Sequence, residues 1–146
     1  MPTTCSLCTT PGGALVFQGG GFRVIRAQEE GFPAFYRVVW NAHVAEFSDL
    51  CLADRTLCMA AVNVVELALR EHLQPAKINL AALGNVVPHL HWHVIARFDW
   101  DSHFPAPVWG QPLRTPDAMA LASIRTRLEA VEHAIRRELA ELPLAV

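Results

Sequence analysis

Between His89 and Val94 the chain alternates strictly between histidine and apolar residues. Because side chains alternate between the two faces of a β-strand, the pattern predicts a strand, which we place over residues 90–98. One face of this strand is apolar and suits burial against a core, whereas the other carries imidazoles. The imidazole face holds His89, His91 and His93, and the apolar face holds Leu90, Trp92 and Val94. The segment therefore favours a sheet whose two sides differ in character.

The rest of the chain supplies partners for such a strand. Runs rich in β-branched and aromatic residues predict further strands over 14–17, 22–27, 35–40 and 77–83. Helical spacing predicts a helix over 53–72, and the cap Thr115-Pro116-Asp117 opens a second helix with the apolar stripe Leu121, Ile124, Leu128, Val131, Ile135 and Leu139. This order predicts an α+β fold with a mainly antiparallel five-stranded sheet, a central helix and a long C-terminal helix. We expect one domain over 1–146, with a core at about 5–110 and a helical extension at about 115–141.

Composition narrows the class of protein. Apolar residues make up 52% of the chain and charged residues 18%, which is enough to fill one core. Twelve Lys and Arg residues against 14 Asp and Glu leave a net charge of −2, so the basic surface typical of DNA-binding proteins is missing. There is no apolar run long enough for a membrane span, and the first residues lack a leader pattern. We expect a soluble cytoplasmic protein with no nucleic-acid or membrane partner.

The four cysteines do not indicate a disulfide framework in a chain with a core of this size. Cys51 and Cys58 are interpreted as small buried hydrophobic residues. Cys5 and Cys8 have the C-x-x-C spacing of a metal chelate or a redox pair, and the Pro-Gly-Gly that follows at 11–13 cannot continue a helix. Metal binding is therefore the preferred interpretation, although the pair supplies only two of the four ligands of a structural zinc.

Three histidines at alternate positions indicate a functional role, because clustered imidazoles repel one another once they are protonated and therefore need a stabilising partner. The residues alone leave two functional interpretations. The histidines could be ligands of a catalytic metal. Alternatively, one imidazole could be a nucleophile whose neighbours fix its tautomer and bind an anionic substrate.

The run from His89 to Ile95 resembles the H-φ-H-φ-H-φ-φ signature of the histidine triad (HIT) superfamily of nucleotide hydrolases and transferases. The preceding stretch 84–87, His43 and the element order are similar too, so the resemblance covers about residues 5–110. It implies that His91, the middle histidine, attacks the α-phosphorus of a nucleotide to give a covalent nucleotidyl-histidine. Water or another acceptor then releases the nucleoside monophosphate. Dinucleoside polyphosphates and phosphoramidates are the implied substrate types.

The resemblance also implies roles for other residues. His93 would contact phosphate oxygens and assist the leaving group, and Asn85 would donate to a phosphate oxygen or the leaving group. Asn79 falls near the family's phosphate-binding amide. Arg97 would either neutralise phosphate charge or form an ion pair with Asp99. Where many members carry an acidic residue that binds ribose, an ungapped count back from His43 gives Ala27 in this chain. After a small shift, the candidate substitutes are Gln28, Glu29 or Glu30.

Some members of the family bind structural zinc. The corresponding ligands in this chain are Cys5, Cys8, His43 and His89, a closed set typical of a structural site. Family members commonly form two-fold dimers, so a homodimer is expected. Two alternatives stay open: a metal-dependent hydrolase that uses the histidines as ligands, and a non-catalytic nucleotide-binding regulator.

Overall fold

Every predicted run of β-branched and aromatic residues forms a strand. The computed structural model describes residues 4–143. Residues 1–3, which belong to the stretch predicted to lack a leader pattern, and residues 144–146 lie outside the described part of the chain. The elements in chain order are α1 (Ser6–Thr9), β1 (Ala14–Gly19), β2 (Phe22–Arg26), β3 (Phe35–Trp40), a 3-10 turn (Phe47–Asp49), α2 (Leu52–Leu73), β4 (Lys77–Ala81), β5 (His91–Arg97) and α3 (Ala118–Ala140). The predicted α+β fold is confirmed.

The strands form one antiparallel sheet in the order β1-β2-β3-β5-β4. The histidine-bearing strand β5 therefore lies inside the sheet, between β3 and β4. Its register with β3 places His91 opposite Val39 and His93 opposite Arg37. Residues that are opposite each other in a ladder point to the same face, so Arg37 shares a face with both histidines.

The two faces of the sheet are covered by different parts of the chain. Helices α2 and α3 pack on one face, and the largest apolar cluster lies between them and the sheet. Val94 of β5 belongs to that cluster and the partly buried Trp92 packs against it, as the alternating pattern predicts. On the other face, Ile25 and Val39 pack against Cys5 and Leu7 of the N-terminal segment. The histidine face is thus partly covered by the first turn of the chain.

The long C-terminal helix confirms the predicted stripe, since all six residues of that stripe are buried. Its start differs from the prediction by two residues. Asp117, rather than Thr115, caps the helix, because its Oδ1 accepts a hydrogen bond of 3.0 Å from the backbone N–H of Ala120. Among residues 4–143, no helix is both long and apolar enough to cross a bilayer.

Two further expectations are corrected. Cys58 is buried, but Cys51 is exposed, because it is the N-cap residue of α2 and precedes the buried stripe of that helix. His89 does not lie on the strand with His91 and His93. Strand β5 begins at His91, and His89 belongs to the preceding segment, where its backbone N–H bonds to the carbonyl of Val87.

Candidate active site and metal centre

A cavity of about 700 Å³ opens on the sheet face that carries His91 and His93. Three parts of the chain form its walls: the N-terminal turn, the segment that precedes β5, and the loop that follows it. The lining residues outside the sheet are Ser6, Leu7, Thr10, Gly12, Leu83, Gly84, Asn85, Val86, Val87 and Trp109. The volume and the largely apolar lining are those of a site for a small molecule.

The ring of His91 is held in one tautomer. Its Nδ1 lies 2.6 Å from the backbone carbonyl oxygen of His89, so Nδ1 carries the proton and donates it in a hydrogen bond. Nε2 is therefore the nitrogen with a free lone pair. Burial lowers the pKa of His91, and the nearby charge of Arg37 lowers it further, against the hydrogen bond to His89, which raises it. The imidazole is neutral near pH 7, as a nucleophile must be.

The ring of His93 has the opposite arrangement. Nε of Arg37 donates to Nδ1 of His93 at 3.4 Å, so the proton of the neutral ring lies on Nε2. Burial, His91 and Arg37 together lower the pKa of His93 to about 4. The ring centroids of His91 and His93 are 4.9 Å apart. The two rings thus place one nitrogen acceptor and one N–H donor next to each other.

Aromatic contacts fix the plane of His93. Phe35 approaches its ring edge-on at 5.6 Å, and Trp109 lies 5.1 Å away on the loop after β5. Trp109 also contacts Phe35, at 6.5 Å, and remains 53% exposed. An exposed indole beside a catalytic candidate provides an apolar surface at the mouth of the cavity.

A second cluster lies directly behind the N-terminal wall. One ligand atom from each of Cys5, Cys8, His43 and His89 lies within 4.8 Å of all the others. Nδ1 of His43 is 3.2 Å from Nδ1 of His89 and 3.3 Å from Sγ of Cys8. Nδ1 of His89 is 3.4 Å from Sγ of Cys5 and 3.5 Å from Sγ of Cys8.

These distances can be tested against a tetrahedral metal. With Zn–N near 2.0–2.1 Å and Zn–S near 2.3 Å, tetrahedral angles place two nitrogens about 3.3 Å apart and a nitrogen and a sulfur about 3.6 Å apart. The measured separations match both values. The four side chains therefore fit one zinc ion with a closed ligand set.

The surroundings of His89 favour the same arrangement. The residue is fully buried, and its Nε2 donates to the carbonyl of Trp40 at 2.6 Å, which leaves Nδ1 unprotonated and directed at the cysteines. Burial lowers the pKa of His89 and keeps the ring neutral. A metal-bound histidine commonly donates its other N–H to a carbonyl in this way, which orients the ring.

Arg23 anchors the segment that carries the two cysteines. Its buried guanidinium donates to the carbonyls of Leu7 at 2.8 Å, Thr10 at 3.2 Å and Pro11 at 3.0 Å. A fourth bond of 2.9 Å reaches Oδ1 of Asn41 on the loop that carries His43. The C-x-x-C turn is therefore tied to the sheet by charge-assisted hydrogen bonds as well as by packing.

The structure divides the phosphate-binding candidates into two groups. His93 and Asn85 line the cavity, but Asn79 and Arg97 do not. Arg97 is buried and bonds through Nε to Asp101 at 2.9 Å and through Nη1 to Oδ1 of Asn79 at 2.8 Å. Its ion-pair partner is thus Asp101 and not the predicted Asp99. This arginine is committed to a structural network because its donors are already used inside the protein.

Sequence reasoning missed three contributors to the cavity. The sequence pattern placed Arg37 in a strand but gave it no role in the site. The available signal was that Arg37 is a charged residue within an otherwise apolar strand. Trp109 lay in a proline-containing loop without any pattern. Gly12, with φ of 91°, lines the cavity where a Cβ would lie 2.7 Å from Leu7, and no local pattern indicated that approach.

A family model described as the HIT domain matches residues 13–100. The chain belongs to the histidine triad family. The HIT resemblance seen in the sequence is therefore confirmed. The family groups nucleotide-binding hydrolases and transferases. A comparison with curated protein sequences gives no match.

Solved structures agree with the membership. A histidine triad protein from Bradyrhizobium japonicum is 31% identical, with a TM-score of 0.69 over 88% of this chain and 92% of that one. One from Sinorhizobium meliloti is 28% identical, with a TM-score of 0.65 over 82% and 90%. A zinc-bound histidine triad family protein from Mycobacterium smegmatis is 22% identical, with a TM-score of 0.59 over 95% of both chains, and shares the fold.

Proposed function

We propose that this HIT protein cleaves nucleotide substrates at the α-phosphorus through a covalent nucleotidyl-His91 intermediate. The observation that carries the proposal is the hydrogen bond of 2.6 Å from Nδ1 of His91 to the carbonyl of His89. It leaves Nε2 as the free lone pair of a neutral, partly buried imidazole that lines the cavity. A fixed tautomer and a matched neighbouring group are the ordinary requirements of nucleophilic catalysis.

The reaction has two displacement steps. In the first, the Nε2 lone pair of His91 forms a bond to the α-phosphorus, the bond from phosphorus to the leaving group breaks, and its electron pair departs with that group. In the second, water attacks the same phosphorus, the P–N bond breaks, and its electrons return to Nε2. The proton lost by water goes to solvent, and a nucleoside monophosphate is released. An acceptor other than water would make the protein a transferase.

Two further residues support the reaction. His93 presents the Nε2–H group next to the nucleophile, where it can bond to the leaving group or to a phosphate oxygen. Asn85 lines the cavity and offers an amide to the phosphate. Such donors accelerate the reaction to the extent that they bind the transition state more tightly than the ground state.

The covalent step is tested with a substrate that carries a label in its α-phosphate. Quenching the wild-type reaction in denaturant should leave label on the protein, in a bond that is lost in acid and survives alkali. His91→Ala should abolish both labelling and turnover, while a matched change outside the cavity, His133→Ala on α3, should preserve both. A His91→Ala protein that retains wild-type turnover would refute the nucleophile. A wild-type protein that binds nucleotide without turnover would instead identify a non-catalytic regulator.

We also propose a structural zinc ion held by Cys5, Cys8, His43 and His89. The support is the match between the four ligand-atom separations and a tetrahedral ion. A closed set of four protein ligands has no open position for substrate. This division of the histidines disfavours the metal-dependent hydrolase, since that mechanism needs His91 or His93 as a ligand and the structure directs both to the cavity.

A homodimer is the third part of the proposal. Strand β4 is an outer strand of the sheet, and Leu80 on it is 45% exposed. An outer strand that has a strand partner on one side only, and that carries an exposed apolar side chain, suits pairing with a second copy. Light scattering after size-exclusion chromatography should give twice the chain mass of 16.1 kDa. Leu80→Glu should shift the protein to monomer.

A further inference from the structure

Arg37 supplies the charge of the catalytic cavity. It lies opposite His93 in the ladder between β3 and β5, and its side chain is on the cavity face of the sheet. Among the described residues that line the cavity, it is the one with a permanent charge. A nucleotide substrate brings negative phosphates into a partly apolar space, where one partly buried cation has a large effect on their energy.

The guanidinium keeps donors available for a ligand. Nε is used by His93, and Nη2 lies 3.6 Å from a carboxylate oxygen of Glu29. The Arg37 side chain is 22% exposed, but that of Glu29 is 48% exposed, so this ion pair is largely solvated and weak. A phosphate oxygen can therefore replace or join Glu29 and bond to the terminal N–H groups. Glu29, one of the candidate ribose ligands, therefore has Arg37 as its partner in the structure.

Arg37 also limits what His93 can do. The nitrogen of His93 that would take a second proton is Nδ1, and that atom already faces an N–H of a cation. A doubly protonated ring would place two positive N–H groups against each other. Within residues 4–143, the charged or titratable groups in contact with the ring are His91 on β5 and Arg37 on β3, and both oppose its protonation. His93 is consequently a good hydrogen-bond donor through Nε2 and a poor acid.

Different leaving groups need different help. When a phosphoric anhydride is cleaved, the P–O bond breaks and the electron pair stays on oxygen, so the leaving group departs as a phosphate anion without a proton. When a phosphoramidate is cleaved, the P–N bond breaks and the nitrogen must gain a proton as it leaves. A fixed cation and a neutral donor stabilise the first leaving group, whereas the second needs an acid that can ionise near neutral pH.

We propose that Arg37 is a catalytic residue that makes this site selective for phosphoric anhydrides, such as dinucleoside polyphosphates, over phosphoramidates. Its guanidinium contacts the departing phosphate, and its Nε holds His93 as a donor. This inference rests on the proposed nucleotidyl transfer through His91. It assigns the substrate class of the site to a residue of the neighbouring strand.

The test compares two substrates with the same adenylyl group. Diadenosine triphosphate releases ADP as an anion, and an adenosine phosphoramidate of a primary amine releases that amine. We expect wild-type kcat/KM for AMP release to be at least about 100-fold higher for the anhydride. Arg37→Gln should lower the anhydride value by about 100-fold or more, which is the effect of removing one transition-state donor, and should change the amidate value by less than about threefold.

Two variants complete the design. Arg37→Lys keeps the positive charge but loses the planar, bidentate guanidinium. Its kcat/KM for the anhydride should therefore be about tenfold higher than that of Arg37→Gln. Arg125→Gln removes the same charge from α3, outside the cavity, and should leave both values unchanged. Wild-type preference for the amidate, or an equal loss for both substrates in folded Arg37→Gln, would overturn the inference. Loss of the proposed function is distinguishable, because then neither substrate would give a labelled His91.

Discussion

The buried pair of Arg97 and Asp101 allows the structural role assigned to this arginine to be tested. Both side chains are 2% exposed. The carboxylate of Asp101 accepts from Nε of Arg97 at 2.9 Å and Nη2 at 3.1 Å, and also from the backbone N–H groups of Phe98, His103 and Phe104 at 3.1, 2.9 and 2.7 Å. Asp101→Asn keeps the shape but removes the charge, which leaves Arg97 buried without its counterion.

The expected loss is large. Breaking a buried ion pair by removing one partner costs about 3–5 kcal/mol. Unfolding entropy near 2.1 cal/mol/K per residue gives about 0.3 kcal/mol/K for a chain of 146 residues. The variant should therefore melt about 10–16 °C below the wild type. Glu138→Gln breaks the exposed pair with Arg137 and should shift the melting temperature by less than about 2 °C.

Calorimetry and urea unfolding at pH 7 measure this difference, and acid supplies a second check. Burial by itself would raise the pKa of Asp101, but Arg97 and the three backbone donors lower it below its ordinary value. The stabilisation is therefore present above the unfolded pKa near 3.9 and is lost as the pH falls through the lower native value. A melting temperature within 2 °C of wild type, together with a tenfold higher KM for nucleotide, would refute the structural role of Arg97.

Three other outcomes are expected. Purified protein should contain about one zinc per chain. Cys8→Ser should remove the metal and lower the melting temperature, whereas the control Cys51→Ser should do neither. A metal-free wild-type protein of equal stability would contradict the zinc site. Asn85→Ala should lower kcat more than it raises KM, and unchanged turnover would leave Asn85 as a turn residue only. The pKa of His93 is about 4 in the native protein and about 6.5 in the unfolded chain. As the pH falls from about 6.5 to 4, the unfolded chain therefore binds a proton at this residue that the native protein does not bind. The free energy of unfolding should fall over that range. The slope should be smaller in His93→Gln, and equal slopes in urea titrations would show that His93 contributes none of it.

The sequence was sufficient for the fold because its signals were periodic. Strict alternation of histidine and apolar residues identified β5, and the stripe of six apolar residues at helical spacing identified the buried face of α3. The site was predictable only in part. The histidines were identifiable as site residues from their residue type and spacing. The different positions of His89 and His91, however, depend on where strand β5 starts, and hydrogen bonds outside the strand determine that start.

The two arginines show the same limit. Arg37 and Arg97 both lie on the histidine face, on neighbouring strands, and both had the charge that a phosphate requires. Which one reaches the cavity is decided by strand register and by Asp101, four residues beyond Arg97 along the chain. Neither can be read from spacing, because register is a property of the assembled sheet.

The cysteine–histidine cluster joins residues that are far apart along the chain, and this has a consequence for synthesis. Cys5 precedes His89 by 84 positions along the chain, and Cys8 precedes His43 by 35. At about 5–20 residues per second, several seconds pass between the synthesis of Cys5 and that of His89. During that interval the two thiols have no complete partner set, and the wall they support is absent. The four-residue cluster and the cavity wall behind which it lies are therefore completed only once His89 has been made, close to the end of the matched HIT domain at residue 100.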